Sequence, residues 1–231
     1  MASIVARLAA LLSPQPCAVC GNRLGADDGA ICPACSMALP RTMYWETPED
    51  NPMARLFWGI VPVERCAAWY FFTAGSQAAY PIYGAKYRSR PEDGYHMGKA
   101  MAEEMAPGGF FQGIGAIVPM PLSKGKERQR GYNQSLWIAR GVAEATGIAV
   151  EQKAAERVSY SGSQTSKDRW RRAENVEGAF RLRSPGRIGG KHVLVVDDVV
   201  TTGATAGALI KELVKAPGVK VSILAIGFAK K

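Results

Sequence analysis

The chain has no apolar run near the roughly 18 residues needed to cross a bilayer, and its most apolar N-terminal stretch, residues 4–12, is interrupted by Arg7. A membrane span is not expected. That stretch also lacks the marks of a secretion signal: no positive side chain precedes it, no Ala-x-Ala site follows, and cysteine pairs begin at once. It reads as a short amphipathic helix packed on the body of a cytoplasmic protein. Histidine is scarce, with only His96 and His192 among 231 residues. No partner for a cysteine nucleophile is evident, so Cys66 reads as a buried thiol at a strand start. Internal repeats and low-complexity tracts are absent, which argues against a solenoid or a disordered chain. Acidic residues are in deficit, 20 against 29 Lys and Arg, for a net charge of +9. That balance favours phosphate-rich ligands or nucleic acid without choosing between them. The apolar fraction of 47% is that of an ordinary globular protein.

Four of the five cysteines form two C-x-x-C pairs, Cys17 with Cys20 and Cys32 with Cys35, eleven residues apart. A two-residue gap lets a tight turn aim both thiolates at one ion, and two such turns complete a tetrahedral sulfur set suited to Zn²⁺. Gly21, directly after the first pair, suits a knuckle turn that needs positive φ. Two disulfides or unrelated thiols are the less favoured alternative. Four protein ligands would close the site, so the zinc would be structural: a ribbon this short cannot build its own core.

A Pro-rich passage from Pro40 to about Pro62 reads as a linker or peripheral loop. It suggests a division into an N-terminal helix and zinc ribbon, residues 1–45, and a main domain, residues 46–231. Beyond it, residues 67–72 are strand-like, 79–87 and 96–105 helical, 116–118 a short buried strand, and 134–145 helical. Residues 149–158 then read as a strand, 193–196 as a strand, 204–214 as a helix, and 219–228 as a last strand. Alternation of this kind predicts an α/β fold with a mostly parallel sheet flanked by helices. Ligands of such sheets gather at the carboxyl ends of the strands.

The strand 193–196 is wholly apolar and runs into Asp197-Asp198, followed by Thr201-Thr202-Gly203-Ala204-Thr205 at a helix start. Hydroxyls, small side chains and unpaired N–H groups there suit a phosphate. The carboxylates suit a vicinal diol. A response-regulator receiver is excluded because only 33 residues follow Asp198. The stretch 186–192 is no nucleotide P-loop, since its spacing is wrong, it lacks the Ser or Thr, and it precedes a strand.

The string VLVVDDVVTTGAT resembles the signature of type I phosphoribosyltransferases. The resemblance implies that Asp197 and Asp198 bind the ribose hydroxyls of phosphoribosyl pyrophosphate, and that Thr201, Thr202, Gly203, Ala204 and Thr205 bind its 5′-phosphate. It further implies that the loop Pro121-Leu122-Ser123, with cations such as Arg130, meets the pyrophosphate, and that a mobile hood carrying Lys167 and Arg169 closes over it. Single cations of the stretch Lys124, Lys126 and Arg128 read equally well as a solvated basic loop.

The paired cysteines, Arg130-Gly131-Tyr132-Asn133-Gln134, Gln164-Thr165 with Arg169, Asn175-Val176-Glu177-Gly178-Ala179-Phe180 and the acidic motif together resemble the ComF family over nearly the whole chain. Lys86 is similar to a lysine of that family. The resemblance implies a type I phosphoribosyltransferase-like domain behind a small four-cysteine zinc ribbon, linked to DNA uptake in natural competence, with relatives linked to gluconate use. Two functions stay open. One is pentosyl transfer from phosphoribosyl pyrophosphate with Mg²⁺ to an unidentified acceptor. The other is a non-catalytic competence component that binds single-stranded DNA, alongside other competence proteins, and keeps the phosphoribosyl site for regulation.

Overall fold

Val193 to Val196, the apolar run read as a central strand, is fully buried in the middle of a four-stranded sheet. The structure is a computed structural model that describes residues 16–25, 29–76, 79–80, 82–83, 90–158 and 178–229. The expected N-terminal helix, Lys86, and the hood cluster with Lys167 and Arg169 lie outside the described residues.

The sheet comprises β1 (Cys66–Phe72), β2 (Ile114–Pro119), β5 (His192–Val200) and β6 (Lys220–Ala229) in the order β1-β6-β5-β2. All three pairings are parallel. Six helices are described: α1 (Pro33–Ala38), α2 (Pro91–Met105), α3 (Lys124–Arg130), α4 (Gln134–Thr146), α5 (Pro185–Ile188) and α6 (Ala204–Leu213). This is the mostly parallel, helix-flanked α/β architecture expected from the sequence, with the cysteines at its N-terminal end.

Three local expectations change. The strand read over 149–158 breaks in two. Val150 makes a parallel bridge to Ile117, and the Ile117 N–H donates to Ala149 O at 2.9 Å. Polar Gln152 and Lys153 then turn away, and the Ala154 N–H closes on Glu151 O. The chain resumes as β3 (Ala155–Arg157), which pairs antiparallel with β4 (Phe180–Leu182) in a separate ribbon. Two polar side chains in succession cannot continue a strand buried on both faces. The helix read over 96–105 begins earlier, at Pro91, because proline suits the first helical turn and Glu92 and Asp93 complement its dipole.

The Pro-rich passage, read as peripheral, is substantially internal. Residues 40–42 run along the outer edge of β1 through the Arg41–Tyr70 bridge. Tyr44, Trp45, Met53, Phe57 and Val61 join the main core. Irregular backbone is tolerated there because Asn51 satisfies it. Its amide donates to Thr47 O and Cys66 O, both at 2.9 Å, and its Oδ1 accepts the N–H groups of Met53 and Ala54.

Helices α2 and α4 touch backbone to backbone. A Cβ on Gly98 would lie 2.2 Å from Ile138 O, and one on Gly141 would lie 2.0 Å from Tyr95 O. Only glycine permits this approach. It draws the N-terminal turn of α4 down onto the ends of β2 and β5, where the sequence placed its site.

Candidate functional site

β5 does not stop at its acidic pair but continues to Val200, with Asp197 beside Ala225 and Val199 beside Gly227 of β6. Residues 201–203 then bend into α6. Gly203 caps that helix at φ +75 and accepts the Gly207 N–H at 2.8 Å. The cap requires the left-handed region, which glycine alone enters without strain. Behind it, the Phe57 ring lies 3.0 Å from the place a Cβ would take. The turn is therefore seated on the passage read as a linker, and Phe57 is a supporting residue that nothing in the sequence marked.

Asp197, Val199 and residues 200–206 line one open concavity of about 280 Å³. Thr201, Thr202 and Ala204 are exposed in it, Thr205 half-buried, and the Thr202 hydroxyl accepts the Ala204 N–H at 3.4 Å. The first turn of α6 brings N–H groups that have no partner within the helix, and the positive end of its dipole, to the same hollow. A carboxylate and an anion-binding helix start thus share one small space.

The two carboxylates are not equivalent. Asp197 is half-buried and faces the concavity, whereas Asp198 is buried. Both are held by α4. The Ser135 hydroxyl donates to Asp197 Oδ1 at 3.1 Å, and the Gln134 amide donates to Asp198 Oδ2 at 2.9 Å. The Asp198 N–H also reaches Asp197 Oδ1 at 2.8 Å. Asn133 starts α4 by accepting the Ser135 N–H and donates its amide to Met120 O, fastening the helix to the loop after β2. Arg130 donates to Gln134 Oε1 at 2.8 Å.

The structure links Arg130 to Asp198 through Gln134 and starts Pro121 to Ser123 directly after Met120, whose N–H donates to Val196 O, but the concavity's lining residues include none of these four. Pro121 to Ser123 are half-buried, and Ser123 caps α3 by accepting the Lys126 N–H. The stretch read as a basic loop is this short helix, with Lys124, Lys126 and Arg128 exposed on it. Helix formation there follows from the Ser123 cap and the Gly131 stop at φ +81. Tyr70, deeply buried on β1, feels the Asp198 charge; burial pushes its phenol far above the usual range, and its hydroxyl has no hydrogen-bond partner among the described residues.

The second candidate centre is the cysteine cluster. The four Sγ atoms of Cys17, Cys20, Cys32 and Cys35 all lie within 4.8 Å of one another, and none is in a disulfide. Cys17 Sγ accepts the N–H groups of Val19 and Cys32, both at 3.4 Å, as a knuckle thiolate does. Gly21, at φ +74, donates its N–H back to Cys17 O. Burial acts to raise the Cys17 thiol, yet the N–H groups of Cys32, Cys20 and Val19 bring it down to about 7. Burial and the crowding thiols of Cys32 and Cys20 push Cys35 up to about 12. Four soft donors at this spacing fit one metal ion. Cys66 is fully buried and pushed up to about 12 by that burial, a structural thiol as read. Among the described residues no helix is long and apolar enough to cross a membrane.

No protein-family profile matches the chain. The DNA utilization protein YhgH of Salmonella typhimurium is 26% identical over 216 residues, covering 89% of this chain and 93% of the relative. YhgH of Escherichia coli K12 aligns with the same identity and coverage. Competence protein F of Haemophilus influenzae is 32% identical over 101 residues, 43% of this chain and 44% of its own length. Two solved structures share part of the chain's course. One is described as the allosteric regulatory enzyme of purine biosynthesis, the other as glutamine phosphoribosylpyrophosphate amidotransferase from B. subtilis complexed with ADP and GMP. Each aligns at 27% identity and a TM-score of 0.38 over 56% of this chain, which spans about a quarter of either protein. The resemblance carried by the cysteine pairs, the Arg130 to Gln134 motif and the acidic string is matched at this level: the chain is similar over most of its length to DNA utilization protein YhgH, and over less than half of it to competence protein F.

Proposed function

We propose that the concavity at the end of β5 binds the ribose 5-phosphate part of phosphoribosyl pyrophosphate, presented with Mg²⁺, in a cytoplasmic protein that serves DNA uptake. The observation that carries this reading is that Asp197 and the α6 N-terminus open into one hollow. There the N–H groups and hydroxyls of Thr201 to Thr205 hold the phosphate. Asp197 accepts from the ribose hydroxyls, with Asp198 bracing it from behind. The DNA role is carried over from the names of the YhgH and competence relatives.

If the protein turns its ligand over, the C1–O bond to pyrophosphate breaks, its electron pair leaves with the pyrophosphate, and a bond forms from C1 to an acceptor. This chain would contribute positioning and charge: Ser123 and Arg130 toward the diphosphate, the acidic pair toward the sugar. Mg²⁺ would offset the diphosphate charge. The cysteine cluster would hold a structural Zn²⁺.

Isothermal titration with phosphoribosyl pyrophosphate and Mg²⁺ tests the ligand. Binding by the wild type, lost in Asp197→Ala with the fold intact by circular dichroism, is expected. A wild type that does not bind overturns the reading.

A second reading is favoured by the exposed cations on α3: a single-stranded DNA surface beside a regulatory phosphoribosyl pocket. Its mark would be affinity that falls steeply between low and moderate salt.

A further inference from the structure

The motif Arg130-Gly131-Tyr132-Asn133-Gln134-Ser135 contributes one small task per residue, and its last two side chains reach the acidic pair. Gly131 ends α3 in the left-handed region. The Tyr132 hydroxyl accepts the Arg90 N–H, which ties the turn to the start of α2. Asn133 caps α4 and grips Met120 O. Ser135 donates to Asp197. Gln134 sits between a cation and an anion, receiving Arg130 Nη1 at 2.8 Å on Oε1 and donating Nε2 to Asp198 at 2.9 Å.

We propose that Gln134 is a positioning residue for the phosphoribosyl site, an amide locked between Arg130 and Asp198 that fixes the buried carboxylate and, with Ser135, aims Asp197 at the ligand. The inference rests on the phosphoribosyl reading of that site. The chemistry leaves little freedom. A guanidinium can only donate and an ionised carboxylate can only accept, so the middle residue must accept on one side and donate on the other. Among side chains of this length only glutamine does both at neutral pH. Gln134 and Asp198 are each 7% exposed, so little water is present to replace either bond. Gln134 is also the first residue of a 13-residue helix, whose positive end adds to the field on both carboxylates.

Among the described residues, the charged groups next to Gln134 and its partners include Arg130 from α3 and Asp197 and Asp198 from β5, and the buried phenol of Tyr70 on β1 feels the Asp198 charge. Farther out, Glu92 and Asp93 at the start of α2 act on Tyr132 together with Arg130.

The test compares Gln134→Glu with Gln134→Leu. At about pH 8 the introduced carboxylate opposes Asp198, and affinity for phosphoribosyl pyrophosphate with Mg²⁺ is expected to fall by about tenfold or more. At about pH 5.5 the protonated carboxyl can donate to Asp198 while its carbonyl accepts from Arg130. Affinity relative to the wild type at the same pH should then recover to within about threefold. Gln134→Leu should not recover. Affinities for Gln134→Glu that match the wild type at both pH values, or that fall short of it as far as the leucine variant does at both, would overturn the proposal.

The melting temperature of the ligand-free proteins supplies an arm independent of phosphoribosyl binding. The deficit of Gln134→Glu should narrow on acidification while that of Gln134→Leu does not. If the wild type binds no phosphoribosyl pyrophosphate, the ligand reading falls and this arm alone decides the clamp: a deficit that fails to narrow refutes it.

Discussion

The ring of Phe57 closes the space behind Gly203, leaving 3.0 Å where a Cβ would stand. A segment from the Pro-rich passage thereby sets the height of the turn that starts α6. The stretch that bears the concavity's polar groups is thus backed by a wall from a distant part of the chain.

Gly203→Ala should weaken phosphate binding for two separable reasons, a left-handed backbone costing about 1–2 kcal/mol in a residue with a Cβ and a collision with Phe57. Adding Phe57→Leu should relieve the collision and leave the backbone cost. Phe57→Ala alone should destabilise the chain by about 3–5 kcal/mol. Urea unfolding of the three variants, with ligand titration at each, checks the partition. Equal losses with and without Phe57→Leu would mean that the ring is not the obstacle.

The α2–α4 contact should be intolerant of a single methyl group. Gly98→Ala or Gly141→Ala would drive a Cβ into a carbonyl oxygen, with an expected loss of about 3 kcal/mol or more. Gly125, in α3 with nothing within 4 Å of its Cβ position, is the control. Gly125→Ala should be neutral or stabilise by about 0.5–1 kcal/mol. Thermal unfolding separates the two sites, and similar midpoints for all three variants would contradict the close approach.

Metal analysis of the folded chain should find about one zinc ion, held by the four cysteines. Because the ligands are thiolates, acid should release the ion as protons compete for sulfur. Stripping it with a chelator should lower the melting temperature. Cys20→Ser with undiminished metal content would argue against the four-sulfur site.

Burial and the nearby Arg65 hold the His192 pKa below the ordinary histidine value, with Glu64 opposing in part. The unfolded chain therefore takes up this proton at higher pH than the folded one. The stability contribution is complete above about pH 6.5 and is lost as pH falls through the folded value. His96 shifts the same way, from burial and Lys99. His192→Gln, which can still reach Ser222, should show a shallower loss of denaturant midpoint between about pH 7 and 5 than the wild type. An unchanged slope would remove His192 as a contributor.

Local pattern alone was enough for the central strand, its acidic exit and the Thr-rich helix start. An unbroken apolar run must be buried, and two carboxylates after it must find water, a ligand or a donor. The cysteine knuckles were equally legible, since a two-residue gap and a following glycine constrain the turn directly. Tertiary structure decided the rest. Asp197 and Asp198 are neighbours in sequence, yet only the descent of α4 leaves one facing the concavity and holds the other buried against Gln134. That descent depends on Gly98 and Gly141 meeting backbone across two helices, 43 positions apart. Phe57 reached the turn before α6 from 146 positions away. Such contacts follow from how elements stack in three dimensions, and periodicity along one segment carries no record of which backbone will lie against it.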